Sequence, residues 1–389
     1  MSLRLFVGAL LVSTASAQAP ANYYVSVDPA TPASLRLTLH EVIDDHTRFP
    51  YSAGSTDTWD ILEAADEDPA DPGRIVDVYR NASYPKFGKG NDSYNREHLW
   101  PKSYGFPKDG ASNYPYTDCH MLMLCDSGFN STRSNKPFRY CDVDCSEQIT
   151  TVTNGTGGGS EVYPGNSNWT SGRYSTGTWE VWAERRGDVA RAMFYMDVRY
   201  EGGQHGATSH PEPDLMLTED EALIEASRTG ANEATGYMGM QSVLLEWHRQ
   251  DPVTDLERRR NDVVFGFQGN RNPFVDHPEW VDVLFDPDHE TTTIPSPPTQ
   301  LTSLEGESLI ALFWADNPET NIVGYDVWRS TIAGGAYEKV NDVALTSSDY
   351  VDFGLVNGTT YHYVVTATDA EGRVSGWSVE VLGTPVGLP

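Results

Sequence analysis

Two stretches decide how this chain reads: Tyr94-Asn95-Arg96-Glu97-His98-Leu99-Trp100-Pro101-Lys102-Ser103, and its answering stretch Asn130-Ser131-Thr132-Arg133-Ser134-Asn135. The Glu97-His98 pair offers a hard oxygen ligand and an imidazole within one dipeptide. Neighbouring side chains of a strand point to opposite faces, so both can serve one site only at a strand end or in a bent loop. Pro101, three residues on, supplies such an ending because it cannot continue a ladder. The chemistry this suggests is a metal ion on oxygen ligands, beside a neutral histidine able to take a proton from water.

Further blocks follow in order: Pro101-Lys102-Ser103, Asp118-x-His120, Asn130-x-x-Arg133-x-Asn135, Arg186 through Met196, Leu244-Leu245-Glu246-Trp247-His248, Asn261-Asp262 and Gly269 through Phe274. Together they resemble the bacterial endonuclease I family of secreted and periplasmic nucleases, over about half the chain. The resemblance implies a ββα-metal (His-Me finger) site that cuts DNA, often RNA too, with little sequence preference. It also implies that Glu97 and Asn130 ligate one Mg²⁺ (or Mn²⁺ or Ca²⁺), and that His98 is the general base. Arg133 is a candidate catalytic phosphate clamp, with orienting the Asn130 loop as its alternative role. Asn135 and Asp118 are expected to fix loop geometry. Binding through the phosphate backbone makes salt dependence the rule and leaves DNA against RNA open.

Working outward, Arg4, the apolar run Leu5 to Val12 and Ala15-Ser16-Ala17 fit a signal peptide over 1–17, cleaved after Ala17. The apolar run is too short to span a bilayer, so the mature protein is expected to be a secreted or periplasmic monomer without a membrane contact. The net charge is −29, unusual for a polyanion binder. Between residues 85 and 140, however, eight Lys or Arg stand against five acids, a basic island in an acidic chain. All four cysteines fall between Cys119 and Cys145. In an exported chain this predicts two disulfides stapling the Asn130–Arg133 segment, with a Cys₄ zinc site as the competing reading.

The expected class is α+β: a mainly helical nuclease domain with a ββα-metal core over 22–290, a Thr/Pro linker over 291–298, and a small all-β sandwich over 299–387. Leu35, Leu39 and Val42 recur at helical spacing, as do Val189, Met193 and Met196 in a pattern opening at Trp179. Thr218 reads as the N-cap of a helix with Glu221 completing a capping box. Residues 150–178, rich in Gly, Asn, Ser and Thr, read as a long exposed loop. His205 and His210 read as surface histidines. The strand-like runs Leu309–Trp314, Gly324–Arg329 and Tyr361–Ala367 resemble a fibronectin type III domain, and with twelve acids against three bases after residue 300 this part is not expected to bind nucleic acid. Its ligand stays open. A metallo-phosphodiesterase of small substrates and a non-catalytic adhesin are the rival readings.

Overall fold

Leu35, Leu39 and Ile43, spaced by four, are fully buried along one face of α1 (Pro32–Ile43), the amphipathic stripe expected of a surface helix. In α2 (Thr58–Ala65) the Asp57 side chain takes the Trp59 N–H while Asp60 reaches back to the Asp57 N–H, closing a capping box. The computed structural model describes residues 19–20, 22–159, 162–286, 294–319, 321–335, 337–370 and 372–387. The stretch 1–17 expected to be a signal peptide lies outside them, and so does part of the expected linker. The chain divides into two compact units, the second made of His289–Pro389 with the short stretch Asp28–Leu35. Among the described residues no helix is long and apolar enough to cross a membrane.

In the first unit, β1 (Glu67–Asp68), β2 (Asp71–Val76) and β3 (Ser83–Pro85) form one sheet in that order. Next come β4 (Tyr94–His98), β5 (Leu122–Asp126) and α3 (Ser127–Arg133), the segment that carries both motif stretches. A second three-stranded sheet follows, β6 (Ser146–Ile149), β7 (Ser167–Ser171) and β8 (Thr178–Glu180), then α4 (Arg186–Arg199). Strands β9 (Asp214–Leu217) and β10 (Thr235–Met238) pair in parallel around α5 (Glu221–Ala226). The helices α6 (Gln241–Gln250), α7 (Asp255–Gln268), α8 (Pro273–Asp276) and α9 (Glu279–Phe285) complete the unit. Every residue of α4 is buried, and its Arg191 forms a two-pronged pair with Glu257 of α7 at 2.5 and 2.7 Å. From the same helix Tyr195, with Tyr200 just beyond it, donates to Asp118 at 2.8 and 2.9 Å, fixing the approach to β5.

The second unit is a sandwich of two antiparallel sheets. One holds β11 (Thr302–Gly306), β12 (Leu309–Phe313) and β15 (Asp349–Phe353). The other holds β13 (Ile322–Ser330), β14 (Glu338–Lys339), β16 (Tyr361–Asp369) and β17 (Val381–Gly383) in the order β14-β13-β16-β17. Ile310, Leu312, Trp314, Tyr325, Val327, Tyr363 and Val365 fill the space between them, each strand alternating inward and outward residues.

Several expectations need correction. The nuclease unit is mixed α/β rather than mainly helical, because polar stretches that lack a hydrophobic period form sheet. Residues 150–178 are the clearest case. β7 is almost wholly buried, and its polar side chains spend their hydrogen bonds inside: Asn168 donates to the Tyr79 carbonyl at 2.8 Å and Thr170 to that of Thr178 at 2.7 Å. Trp179 lies on β8, and the helix begins only at Arg186. Asp220, not Thr218, caps α5, taking the Ala222 and Leu223 N–H groups. His205 is buried and stacked on Tyr114, ring centroids 4.1 Å apart.

There is one disulfide, Cys141–Cys145, while Cys119 and Cys125 are buried thiols. Their surroundings hold them apart: the Cys119 N–H is tied to Gln268 of α7, and Cys125 sits in β5 opposite Asn95. The bridge lies beyond α3 and does not staple it. Thiol titration of unreduced protein should therefore give no reactive thiol in the native state and two per chain in denaturant. None in denaturant would mean a second bridge.

Candidate metal centre

Strands β4 and β5 pair antiparallel, Glu97 opposite Met123 and His98 opposite Leu122. The Asp126 side chain ends β5 and caps α3, accepting the Gly128 and Phe129 N–H groups at 2.8 and 3.1 Å. A carboxylate there satisfies donors the helix leaves free. Asn130 and Arg133, three apart, share the face of α3 that meets Asn95 and Glu97, which in turn share one face of β4. His98 is the last residue of β4 and points to the other side. The strand end that Pro101 foretold falls at His98.

Each candidate ligand is held by the end that would not bind a cation. The Asn130 amide NH₂ donates to Asn95 Oδ1 at 2.6 Å, which leaves its own Oδ1 as an acceptor. Tyr79 hydroxyl and Arg133 Nη1 both reach Glu97 Oε1, each at 3.0 Å; Oε2 is engaged by neither. Burial pushes the Glu97 carboxyl up to about 7, against the pull of Arg133 and the Tyr79 hydroxyl. A buried carboxylate in that state favours a further positive charge. Among the described residues no group of three His, Cys, Asp or Glu could hold a metal. A cation at this place would rest on two protein oxygens and water, a donor set suited to a hard, well-hydrated ion.

His98 is buried, and its Nε2 lies 3.0 Å from the Tyr116 carbonyl. A carbonyl can only accept, so Nε2 carries the proton and Nδ1 the lone pair. Burial, then the Lys102 charge, lowers the imidazole to about 3 despite that carbonyl. The ring packs between Tyr51 and Tyr116, centroids 5.7 and 5.0 Å away.

Arg133 is fully buried. Besides Glu97 it donates to the carbonyls of His98 at 2.9 Å and Leu99 at 2.6 Å, and its guanidinium lies 4.6 Å from the Phe138 ring centroid. These surroundings suit orienting the strand end better than gripping a phosphate. Asn135 reaches Ser103 at 3.2 Å, and Asp118 accepts the His120 N–H at 3.0 Å, both of them loop contacts. Sequence reading gave no role to Asn95, Tyr79 or the Tyr116 carbonyl. Asn95 was within reach, two residues before Glu97 and so on its face. Tyr79 and Tyr116 lie 18 residues from their partners, and no local pattern announces them.

A model of the Endonuclease I family matches residues 31–279. The extracellular ribonuclease of Bacillus subtilis (strain 168) is 38% identical over 282 residues, covering 71% of this chain and 83% of that protein. The extracellular ribonuclease of Bacillus amyloliquefaciens is 38% identical over 266 residues, 68% of this chain and 78% of that one. Among solved structures, an Fn3-like protein from Clostridium thermocellum matches 25% of this chain and 99% of its own, at 31% identity and a TM-score of 0.22.

Two substitutions test the geometry. Arg133→Met leaves Glu97 without its pair and strips the His98 and Leu99 carbonyls of a donor. It should cost about 3–5 kcal/mol, read from urea unfolding, and an unchanged midpoint would contradict the role. Asn95→Ala frees the Asn130 amide to rotate. It should raise the cation concentration giving half-maximal cleavage by roughly tenfold or more, with the folded spectrum unaltered.

Proposed function

The chain belongs to the endonuclease I family, and on that premise we propose that it is an exported, metal-dependent endonuclease hydrolysing phosphodiester bonds of RNA and DNA. The observation that carries this reading is the strand end itself. Two oxygens left unengaged, Glu97 Oε2 and Asn130 Oδ1, belong to side chains held where β4 ends and α3 meets it, and the histidine next in the chain has its proton fixed on Nε2. The donor set fits Mg²⁺, or Mn²⁺ or Ca²⁺ in its place, which when bound would supply positive charge to the anionic transition state.

The remaining steps belong to the chain. His98 Nδ1 takes a proton from the attacking water, and the Tyr116 carbonyl holds the ring and steadies the imidazolium that results. Arg133 keeps Glu97 and the end of β4 in register, and Asn95 and Tyr79 keep the two oxygens aimed. Weak sequence preference follows from recognition through the phosphate backbone. Two relatives carry the name extracellular ribonuclease, which supports RNA as a substrate and export as the destination. The signal-like composition of residues 1–17 points the same way.

Purified protein should degrade RNA and plasmid DNA, lose both activities in EDTA and regain them with Mg²⁺. His98→Ala should lower the rate by roughly 10²–10⁴ with its circular dichroism unchanged. Cleavage that survives chelation would remove the metal, and substantial His98→Ala activity would remove the base.

A further inference from the structure

Most arginines of the first unit are spent on ion pairs, as in Arg199–Glu212 at 2.9 Å and Arg260–Asp66 at 2.8 Å. Arg96 and Lys102 pair with no carboxylate among the described residues, and both stand around His98. Arg96, two residues before His98, shares its face of β4. Its guanidinium lies 3.4 Å from the Tyr51 ring centroid and 4.2 Å from that of Trp59. It donates to the Tyr51 carbonyl, to Thr58 Oγ1 at 2.8 Å and to Ser52 Oγ at 3.2 Å on the exposed side. The acid that acts on it, Asp57, has its oxygens taken by the Ala53 and Trp59 N–H groups, both at 2.7 Å. On the other flank, Lys102 Nζ sits 4.7 Å from the Tyr116 ring centroid and donates to its hydroxyl at 2.7 Å. The two rings beneath these cations are 5.0 Å apart and both border His98.

We propose that Arg96 and Lys102 are the phosphate clamp, binding the nucleic-acid backbone on either side of the bond presented to His98. The inference rests on the nuclease reading above and names the residues that hold the substrate. In a chain of net charge −29, two cations left without acids and fixed on aromatic rings form a positive surface ready for an anion. A planar guanidinium suits the oxygens of a phosphate, and the ammonium adds a point charge. The fully buried Arg133 is released from that duty. Because phosphate contacts carry no base information, the clamp serves RNA and DNA alike.

The test is anisotropy of labelled single-stranded RNA and DNA of one sequence, bound to the full chain in EDTA across about 50–200 mM salt. Arg96→Gln and Lys102→Gln should each weaken binding about tenfold and flatten the slope of log Kd against log salt by about one. The losses should match on RNA and DNA, and in cleavage KM should rise more than kcat falls. A merely structural role leaves the slope alone. If Arg96→Gln does not fold, Lys102→Gln decides. Folded Lys102→Gln with wild-type affinity and slope overturns the clamp while wild-type cleavage keeps the nuclease reading. A wild-type chain that neither binds nor cuts overturns both.

Discussion

The Arg133 guanidinium, fully buried and shared among Glu97 and the carbonyls of His98 and Leu99, is the contact on which the rest of the centre depends. It ties the last turn of α3 to the last residues of β4, the one place where adjacent residues of opposite pointing can serve a single site. A lysine would bring one point charge there, whereas the guanidinium fork meets a carboxylate and two carbonyls at once. A buried ion pair adds little net stability over well-packed apolar residues. What it contributes here is position: it settles which Glu97 oxygen is occupied and which is left unengaged.

Charge is distributed to the same end. The chain as a whole repels polyanions, and that repulsion slows encounter at low ionic strength. Around His98 the balance is reversed by Arg96 and Lys102, neither with a carboxylate partner among the described residues, while elsewhere in the unit most arginines are locked against acids across helices and strands, Arg191 to Glu257 and Arg271 to Asp276 among them. Acidity therefore serves the scaffold, and two of the cations it does not consume, Arg96 and Lys102, border His98 at the end of β4.

The strand end at His98 was legible in the sequence from Pro101, and the two motif stretches that meet around Arg133 could be picked out as compact blocks, but the helix that carries Asn130 and Arg133 could not, since its polar residues read as a loop. Nor was the packing that aims these side chains legible. Tyr79 and Tyr51 arrive through turns and the Tyr116 carbonyl through a single 3-10 turn, and such contacts leave no period in the chain. The helical bias of the first reading has a similar origin. Buried Asn168 and Thr170 satisfy their polar groups internally, so β7 carries no alternation of apolar and polar residues. The cysteines failed for another reason: clustering in sequence does not bring sulfurs together when one lies in a strand and its neighbour is tied to a distant helix.

Anomalous scattering from crystals soaked in Mn²⁺ tests the central claim most directly. A single strong peak within bonding distance of both Glu97 Oε2 and Asn130 Oδ1, lost in Glu97→Gln, is the predicted result. A peak that touches only one of the two side chains, or lies away from the end of β4, would contradict the account.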